Sequence, residues 1–269
     1  DHSTGDVLMT AFMNEPAWIE SLTWAWIALA AVTFVALLFI SAPYGRHGRS
    51  GWGPQISSTV GWVVMELISL CLFGALFFWG GRFHDPALWL FFILWSTHYI
   101  HRSLIYPFRR RDRGKTMPLS VVGMAVSFNG VNAFLNGRYL FFLAPAYTAE
   151  WLSDPRLILG VAMFVFGMAI NISADNTLLA LRKRRKKGTK EGYAIPQGGF
   201  YRWVSCPNYL GEIMEWCGFA LATWSLPGLA FAVWTVANLA PRAVAHHRWY
   251  QKKFSDYPKN RKALIPFLV

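Results

Sequence analysis

Long apolar runs separated by short polar segments divide this chain. Seven runs reach or approach the length of about 20 mostly apolar residues that a helix needs to cross a bilayer. The last two are joined only by the turn at Pro227 and Gly228, which break a helix and indicate a tight helical hairpin. The pattern predicts an all-α integral membrane protein with seven transmembrane helices, at residues 19–42, 58–80, 86–107, 117–137, 155–175, 207–225 and 226–246.

The composition also favours a membrane protein over a soluble one. Hydrophobic residues make up 54% of the chain and charged residues 15%, whereas a soluble domain has about 25% charged residues. The formal net charge is +12, which in a soluble protein would suggest a nucleic-acid partner. Here most Lys and Arg cluster between alternate apolar runs, in the segments 46–49, 109–115, 182–202 and 242–262. The positive-inside rule then places the N-terminus outside and the C-terminus in the cytoplasm, and no nucleic-acid partner is predicted.

A single transmembrane domain over residues 1–269 is the simplest organisation. No internal repeat is visible, so a transporter built from inverted repeats has no support. The chain divides into helices 1–4, residues 19–137, and helices 5–7 with the basic loop 181–202 and the C-terminal tail, residues 155–269. The three cysteines form no CxxC pair, so neither a disulfide framework nor a metal site is predicted.

Polar residues recur at helical spacing inside the last three predicted spans. A charged group at the bilayer centre is costly, so such residues are functional candidates. Positions four apart share a helix face, and each stripe lies near the cytoplasmic end. These faces should therefore converge on one another, on a polar cofactor, or on a channel or proton path. The stripes comprise Asn171 and Asp175, with Arg182 two turns further if the helix continues, then Asn208 and Glu212, then Arg242, His246 and Tyr250.

Glu66 and Tyr99 lie apart from those stripes, in predicted helices 2 and 3. A carboxylate in apolar surroundings can stay protonated or share a proton with a neighbour. Paired with a Tyr hydroxyl, it forms a device that stabilises negative charge on a carbonyl oxygen. The simpler interpretation of Tyr99 is a buried Tyr with one hydrogen-bond partner. Trp62, one turn before Glu66, is expected to line an apolar pocket beside it.

Several motifs at consistent spacing resemble the steroid 5α-reductase family. The similarity is dense from about Gly167 onward and sparser before it, where the segments around Glu66 and Tyr99 still align in order. The motifs are Asn171-Ile-Ser-Ala-Asp175, Tyr193-Ala-Ile-Pro-Gln-Gly-Gly199, Asn208-Tyr-Leu-Gly-Glu212, Ala220-Leu-Ala-Thr-Trp-Ser-Leu-Pro227 and Phe254-Ser-Asp-Tyr-Pro-Lys-Asn-Arg-Lys-Ala-Leu-Ile-Pro-Phe267.

The resemblance implies an NADPH-dependent enzyme that reduces the 4,5 double bond of 3-oxo-Δ4 steroids such as testosterone or progesterone. Glu66 and Tyr99 would be catalytic and would hold the 3-oxo group, with Trp62 also binding substrate. NADPH rests on the resemblance alone, because the chain has no GxGxxG motif. A monomer among membrane lipids is expected, in a bacterial inner membrane or the endoplasmic reticulum. The cofactor would contact Asn171, Asp175, Arg182, Asn208, Glu212, Arg242, His246 and Tyr250.

Two departures from the family and two alternative functions stay open. The loop after Arg182 is longer and more basic than is usual in the family, and Ala194 stands where the mammalian enzymes tend to have Arg. A related sterol reductase or an isoprenylcysteine-type methyltransferase would share the C-terminal motifs. A methyl transfer has no need of Glu66 with Tyr99, and sterol reductases are typically longer, with more spans. A proton-coupled transporter would use intramembrane carboxylates, yet most polar faces gather at one end of the helices.

Overall fold

The computed structural model describes residues 16–39, 51–110, 114–184 and 193–268. Within this part the chain is mostly helical, with one long helix for each predicted run. The predicted loop arginines Arg46 and Arg49, residues 111–113 and the basic segment 185–192 lie outside the described residues. The helices are α1 (Pro16–Phe39), α2 (Ser58–Gly80), α3 (Pro86–Ile100), α4 (Leu119–Arg138), α5 (Pro155–Arg184), α6 (Pro207–Thr223) and α7 (Leu226–Lys253).

Helix boundaries agree best where an apolar run is bounded by polar residues or by proline. The helix α2 has the predicted bounds, but α5 and α7 extend well beyond the ends of their apolar runs. These extensions contain polar residues, so the hydropathy falls although each helix continues. Asp175 and Arg182 therefore lie on one continuous helix, as the spacing required.

Two helices continue through π-helical turns, which are often found at functional sites. The helix α3 passes through the turn His101–Ile105 into a last α-helical turn, Tyr106–Arg109. The helix α4 ends in a second such turn, Tyr139–Leu143. The turn after α3 contains Arg102, and its wider spacing aims that side chain differently from a regular α-helix.

A short antiparallel strand pair departs from the all-α prediction. The strands β1 (Gln55–Ser57) and β2 (Thr116–Pro118) pair with Ile56 opposite Met117. Each strand leads directly into a helix, β1 into α2 and β2 into α4. Strands of three residues carry too little alternation to be predicted, and this pair fixes the starts of the two helices side by side.

Five of the helices are long and apolar enough to cross a membrane by length and composition, over Ala17–Phe39, Ser58–Gly80, Leu119–Leu143, Pro155–Lys183 and Leu226–Lys253. The protein is therefore a membrane protein. The other two are shorter, with 15 residues in α3 before its π-helical turn and 17 in α6. Seven spans and the orientation of the termini stay predictions.

Packing differs between the two halves of the bundle. Aromatic side chains fill the space around α2 and α3, where Phe73 stacks on Trp95 with ring centroids 4.2 Å apart. The helices α5 and α6 instead meet through glycines, and a Cβ added at Gly167 would lie 2.5 Å from the carbonyl oxygen of Gly211. A second glycine contact, between Gly160 and Gly218, repeats this two turns away. The polar faces of α5 and α6 are held together by this backbone contact.

Candidate active site

Arg102 lies at the centre of a cluster of carboxylates from three helices. Its guanidinium is 3.6 Å from Glu66 on α2, 3.9 Å from Asp175 on α5 and 3.9 Å from Glu212 on α6. These distances are ion-pair contacts, longer than a direct hydrogen bond. One cation therefore links the predicted carbonyl-binding carboxyl with two predicted cofactor-binding carboxyls.

Aromatic rings orient this guanidinium. It lies 5.0 Å from the ring centroid of Trp62 and 5.3 Å from that of Tyr106, within the range of cation–π contact. The indole of Trp62 donates a hydrogen bond to the Arg102 carbonyl at 3.1 Å, and Arg110 packs over the same ring. Trp62 was expected to line an apolar pocket, but it packs between two arginines. Its contact with substrate stays a prediction.

A hydrogen-bond network joins the polar faces of α5 and α6. The side-chain amide of Asn171 donates to the Asn208 carbonyl at 3.0 Å and to Glu212 at 3.3 Å. The amide of Asn208 donates in turn to Asp175 at 3.2 Å. The glycine pair Gly167 and Gly211 lies one turn away and sets this close spacing. The structure thus brings together these four residues as their helical spacing required.

A second polar group involves α6 and α7. The hydroxyl of Tyr209 accepts a hydrogen bond from Arg242 Nε at 2.9 Å and lies 3.3 Å from His246 Nε2. Because Tyr209 follows Asn208 directly, the two groups adjoin along α6. Tyr250, one turn beyond His246, stacks on Tyr257 of the C-terminal tail with ring centroids 5.4 Å apart.

Tyr201 packs against the second half of α5, and Arg182 lies further along the same helix. The hydroxyl of Tyr201 donates to the Ala174 carbonyl at 3.4 Å, and burial raises the pKa of this phenol well above its usual range. Tyr201 therefore stays neutral beside Asp175. Arg182 is exposed but close enough for its charge to act on Asp175.

Asn129 lies between the two predicted catalytic residues. Tyr99 is 2% exposed and donates a hydrogen bond to Asn129 Oδ1 at 3.4 Å. The Asn129 amide donates to the Met65 carbonyl at 2.7 Å. Glu66 lies near Asn129 and close enough for its charge to act on Tyr99. The structure therefore places Glu66 and Tyr99 around one amide rather than in direct contact.

A buried His–Glu pair adjoins Tyr99. His98 Nδ1 lies 2.6 Å from Glu215 Oε2, and both side chains are at most 5% exposed. Trp216 packs edge-on against the His98 ring with centroids 4.6 Å apart. The sequence assigned neither residue a role, because nothing in their spacing joins residues 117 positions apart.

Sequence reasoning also left three other residues without roles, namely Arg102, Asn129 and Tyr209. Each lies beside a predicted residue in the chain or in space, and Arg102 is itself an ionisable group within a predicted span, a signal in its own right. Its position near a span end is also compatible with a side chain that reaches the membrane surface. The contacts with three helices distinguish the two.

The donor set fits a nicotinamide dinucleotide, which presents phosphates, ribose hydroxyls and a carboxamide. The Nε atom of Arg102 is buried and has no hydrogen-bond partner among the described residues. Arg182 and Arg242 offer cations for phosphate, while Asn171, Asn208 and the carboxylates offer partners for hydroxyl and amide groups. Within the described ranges, no group of three or more His, Cys, Asp or Glu is arranged to hold a metal ion.

Comparison with known proteins identifies relatives along almost the whole chain. Residues 115–269 match the family model described as 3-oxo-5-alpha-steroid 4-dehydrogenase. Steroid 5-alpha-reductase DET2 of Gossypium hirsutum is 44% identical over 244 residues, covering 89% of this chain and 93% of the relative. The 3-oxo-5-alpha-steroid 4-dehydrogenase 1 of Bos taurus is 43% identical over 93% of this chain and 97% of its own length. The Homo sapiens protein of that name is 41% identical, covering 93% and 95%.

Proposed function

The chain belongs to the 3-oxo-5-alpha-steroid 4-dehydrogenase family, and on that premise we propose that it reduces the 4,5 double bond of 3-oxo-Δ4 steroids with NADPH. Steroids of the testosterone or progesterone class are the proposed substrates. The product is the 5α-reduced 3-oxo steroid. The family names support an oxidoreductase that acts on steroids. The residues of the site support the finer assignment of NADPH and of hydride transfer to the enone.

The observation that carries the proposal is the position of Arg102. Its guanidinium contacts Glu66 on one side and Asp175 and Glu212 on the other. Hydride transfer requires the carbonyl-polarising groups and the cofactor to meet at one substrate. A cation in contact with both sets of residues fits such a meeting point.

Tyr99 and Glu66 are proposed to act on the 3-oxo group. When hydride adds to C5 of the enone, negative charge grows on the carbonyl oxygen. A Tyr99 hydroxyl turned from Asn129 toward that oxygen would stabilise the charge, and buried donors of this kind have a large effect in low dielectric. Asn129 holds the hydroxyl in place before substrate binds. Glu66 lies close enough for its carboxyl group to act on the Tyr99 hydroxyl.

The cofactor is proposed to lie along the polar faces of α5, α6 and α7. When bound, NADPH would supply the hydride. Arg182 and Arg242 would pair with phosphates, while the residues that join α5 to α6 would bind sugar and amide groups. The full proposed set is Asn171, Asp175, Arg182, Asn208, Glu212, Arg242, His246 and Tyr250.

Seven spans with the C-terminus in the cytoplasm complete the proposal. The buried polar residues of α6 argue that this helix lies inside the bundle, where neighbouring helices rather than lipid surround Glu215. The plant and mammalian relatives favour the endoplasmic reticulum, with a bacterial inner membrane as the alternative. A monomer is proposed.

The test is NADPH absorbance loss by the detergent-purified protein when testosterone or progesterone is added, with the product identified by mass spectrometry. A gain of two hydrogens with the 3-oxo group retained supports the proposal. The variants Asn208→Ala, Glu212→Gln and His246→Ala should weaken NADPH binding about tenfold each, the effect of one lost charge-assisted hydrogen bond. Unchanged affinity in all three would refute the cofactor assignment, and absence of NADPH binding by the wild type would favour a methyltransferase or a transporter.

A further inference from the structure

The reaction needs a proton as well as a hydride, and the structure contains a buried pair that the proposed function does not use. We propose that His98, with Glu215, supplies the proton that C4 of the steroid takes up after hydride addition. This inference rests on the proposed function and deepens it by assigning the proton donor. The pair joins α3 to α6 through the 2.6 Å contact between His98 Nδ1 and Glu215 Oε2.

The burial of this pair argues for a role beyond packing. Glu215 is 0% exposed and His98 is 4% exposed. Glu215 Oε1 is buried without a hydrogen-bond partner in the described part of the chain. An unsatisfied buried acceptor is destabilising, so this oxygen is available to a further partner such as a proton. Two titratable groups in contact are instead suited to holding and releasing a proton.

The position of the pair connects the two sides of the site. His98 directly precedes Tyr99, and their ring centroids are 5.0 Å apart. The charged groups that act on His98 are Glu212, Arg102 and Glu66, while Arg102 is the charged group that acts on Glu215. The same residues surround the proposed meeting point of carbonyl and cofactor. A proton on His98 is therefore held beside the groups that polarise the enone.

The step balances in atoms and charge. Hydride addition to C5 leaves an enolate across C4, C3 and the 3-oxo oxygen. The His98 Nε2–H bond then breaks, and the enolate electron pair forms the C4–H bond while the C3=O double bond is restored. The proton shared between Nδ1 and Glu215 moves fully onto Nδ1, so His98 ends neutral and Glu215 ends ionised. Coupled groups of this kind share their protons as a pair.

Glu212 gives the pair a route to recover its proton. It lies three residues before Glu215, on the same face of α6. Its side chain is 19% exposed, whereas that of Glu215 is 1% exposed. A proton from water can reach Glu212 first and pass inward to Glu215 and His98. Arg102, which contacts Glu212, stabilises the negative charge left after each turnover.

The test compares Glu215→Gln and His98→Asn with the matched control His101→Asn. Glutamine keeps the shape of Glu215, and asparagine keeps a group near Nδ1 while removing Nε2. His101 is a buried His three residues further along the chain, and the charged groups that act on it are Arg102, His98 and Arg109. For each protein, turnover is measured with deuterated NADPH and in D2O, NADPH affinity by fluorescence, and carboxyl bands of the unliganded protein by infrared spectroscopy.

We expect turnover in Glu215→Gln and His98→Asn to fall about 100-fold, the effect of a lost general acid. The D2O effect should grow and the effect of deuterated NADPH should shrink toward unity, because proton transfer becomes limiting. NADPH affinity should change less than about twofold. The carboxyl band removed by Glu215→Gln should shift in His98→Asn, and His101→Asn should match the wild type in every measurement.

Equal slowing with both isotope effects unchanged would overturn the proton-donor role, since a structural pair would slow both steps alike. Loss of NADPH binding in both variants would overturn it as well. So would a Glu215 carboxyl band that does not shift in His98→Asn. If the wild type itself does not reduce an enone, the proposed function fails and this role falls with it. If the wild type reduces the enone and the variants keep normal isotope effects, only the proton-donor role of His98 and Glu215 is refuted.

Discussion

The two halves of the bundle hold their helices together in different ways. Between α5 and α6, glycine opposes glycine, and a Cβ at Gly160 or Gly167 would lie 2.5 Å from backbone atoms of α6. Around α2 and α3, aromatic rings fill the space, as in the stacked pair of Phe77 and Phe92 at 4.4 Å. There, a Cβ at Gly74 would meet only the Phe92 ring, at 3.8 Å.

This difference matches the proposal that the cofactor binds along α5 and α6 and that the steroid carbonyl binds beside α2 and α3. Backbone contact leaves no freedom to adjust, so the amides and carboxylates on α5 and α6 are held in one arrangement for a cofactor of constant shape. Side chains that fill a space can be exchanged for others of similar volume. The aromatic half is therefore where the shape of the accepted steroid can vary. Arg102 contacts carboxylates of both halves.

The largest expected effect comes from the carbonyl side. In Tyr99→Phe or Glu66→Gln, turnover should fall about 100- to 1,000-fold, the loss seen when one donor to a developing oxyanion is removed. NADPH affinity should survive, because the residues proposed to bind the cofactor lie on α5, α6 and α7. Steady-state rates and fluorescence titration measure the two quantities. Full steroid reduction by either variant would show that the carbonyl-polarising role is wrong.

The glycine contact gives the next largest effect, and it tests the comparison directly. Gly167→Ala should lower the free energy of unfolding by about 3 kcal/mol, the upper range for overpacking, because the new methyl group meets backbone that cannot move aside. Gly74→Ala is the matched control in α2 and should be neutral or stabilising by about 0.5 kcal/mol. Unfolding titrations in mixed micelles measure both. Equal effects at the two positions would remove the proposed distinction between the halves.

Arg102→Lys should give the smallest of the three effects while acting on both halves. Lysine keeps the charge but offers one compact ammonium instead of a planar fork that reaches carboxylates on opposite sides. We expect turnover to fall about tenfold and NADPH affinity to weaken about tenfold, because each loses the equivalent of one charge-assisted contact. Arg82→Lys is a suitable control, since Arg82 pairs with Asp85 at 3.3 Å just beyond the C-terminal end of α2. A change in only one quantity would mean that Arg102 serves one half alone.

Much of the fold follows from the apolar pattern, and the differences have physical causes. The helix α2 begins and ends as predicted because its apolar run is isolated by Ser57 and Gly81. The helix α5 was predicted too short, since the hydropathy falls at Asn171 and Asp175, yet both side chains are buried against α6 and the helix continues. Hydropathy cannot distinguish a helix end from a polar face that is buried.

Some contacts of the candidate site could be predicted from the sequence, and others could not. Helical spacing predicted which residues share a face, and the cost of polar groups in lipid predicted that these faces meet, as Asn171 does with Asn208 and Glu212. Contacts between distant helices did not follow. The pairing of His98 with Glu215 and the approach of Arg102 to three helices depend on how α3 packs against α6, which the spacing within either helix does not contain.

The most direct test of the account is a single turnover with testosterone and NADPH that carries deuterium at the transferring position of the nicotinamide. The account predicts a saturated product with one deuterium at C5, an intact 3-oxo group and a C4 proton from water. That outcome requires the proposed cofactor residues on α5, α6 and α7 to act on the same substrate molecule as Glu66 and Tyr99 on α2 and α3. A product without deuterium, or one reduced at the 3-oxo group instead, would contradict it.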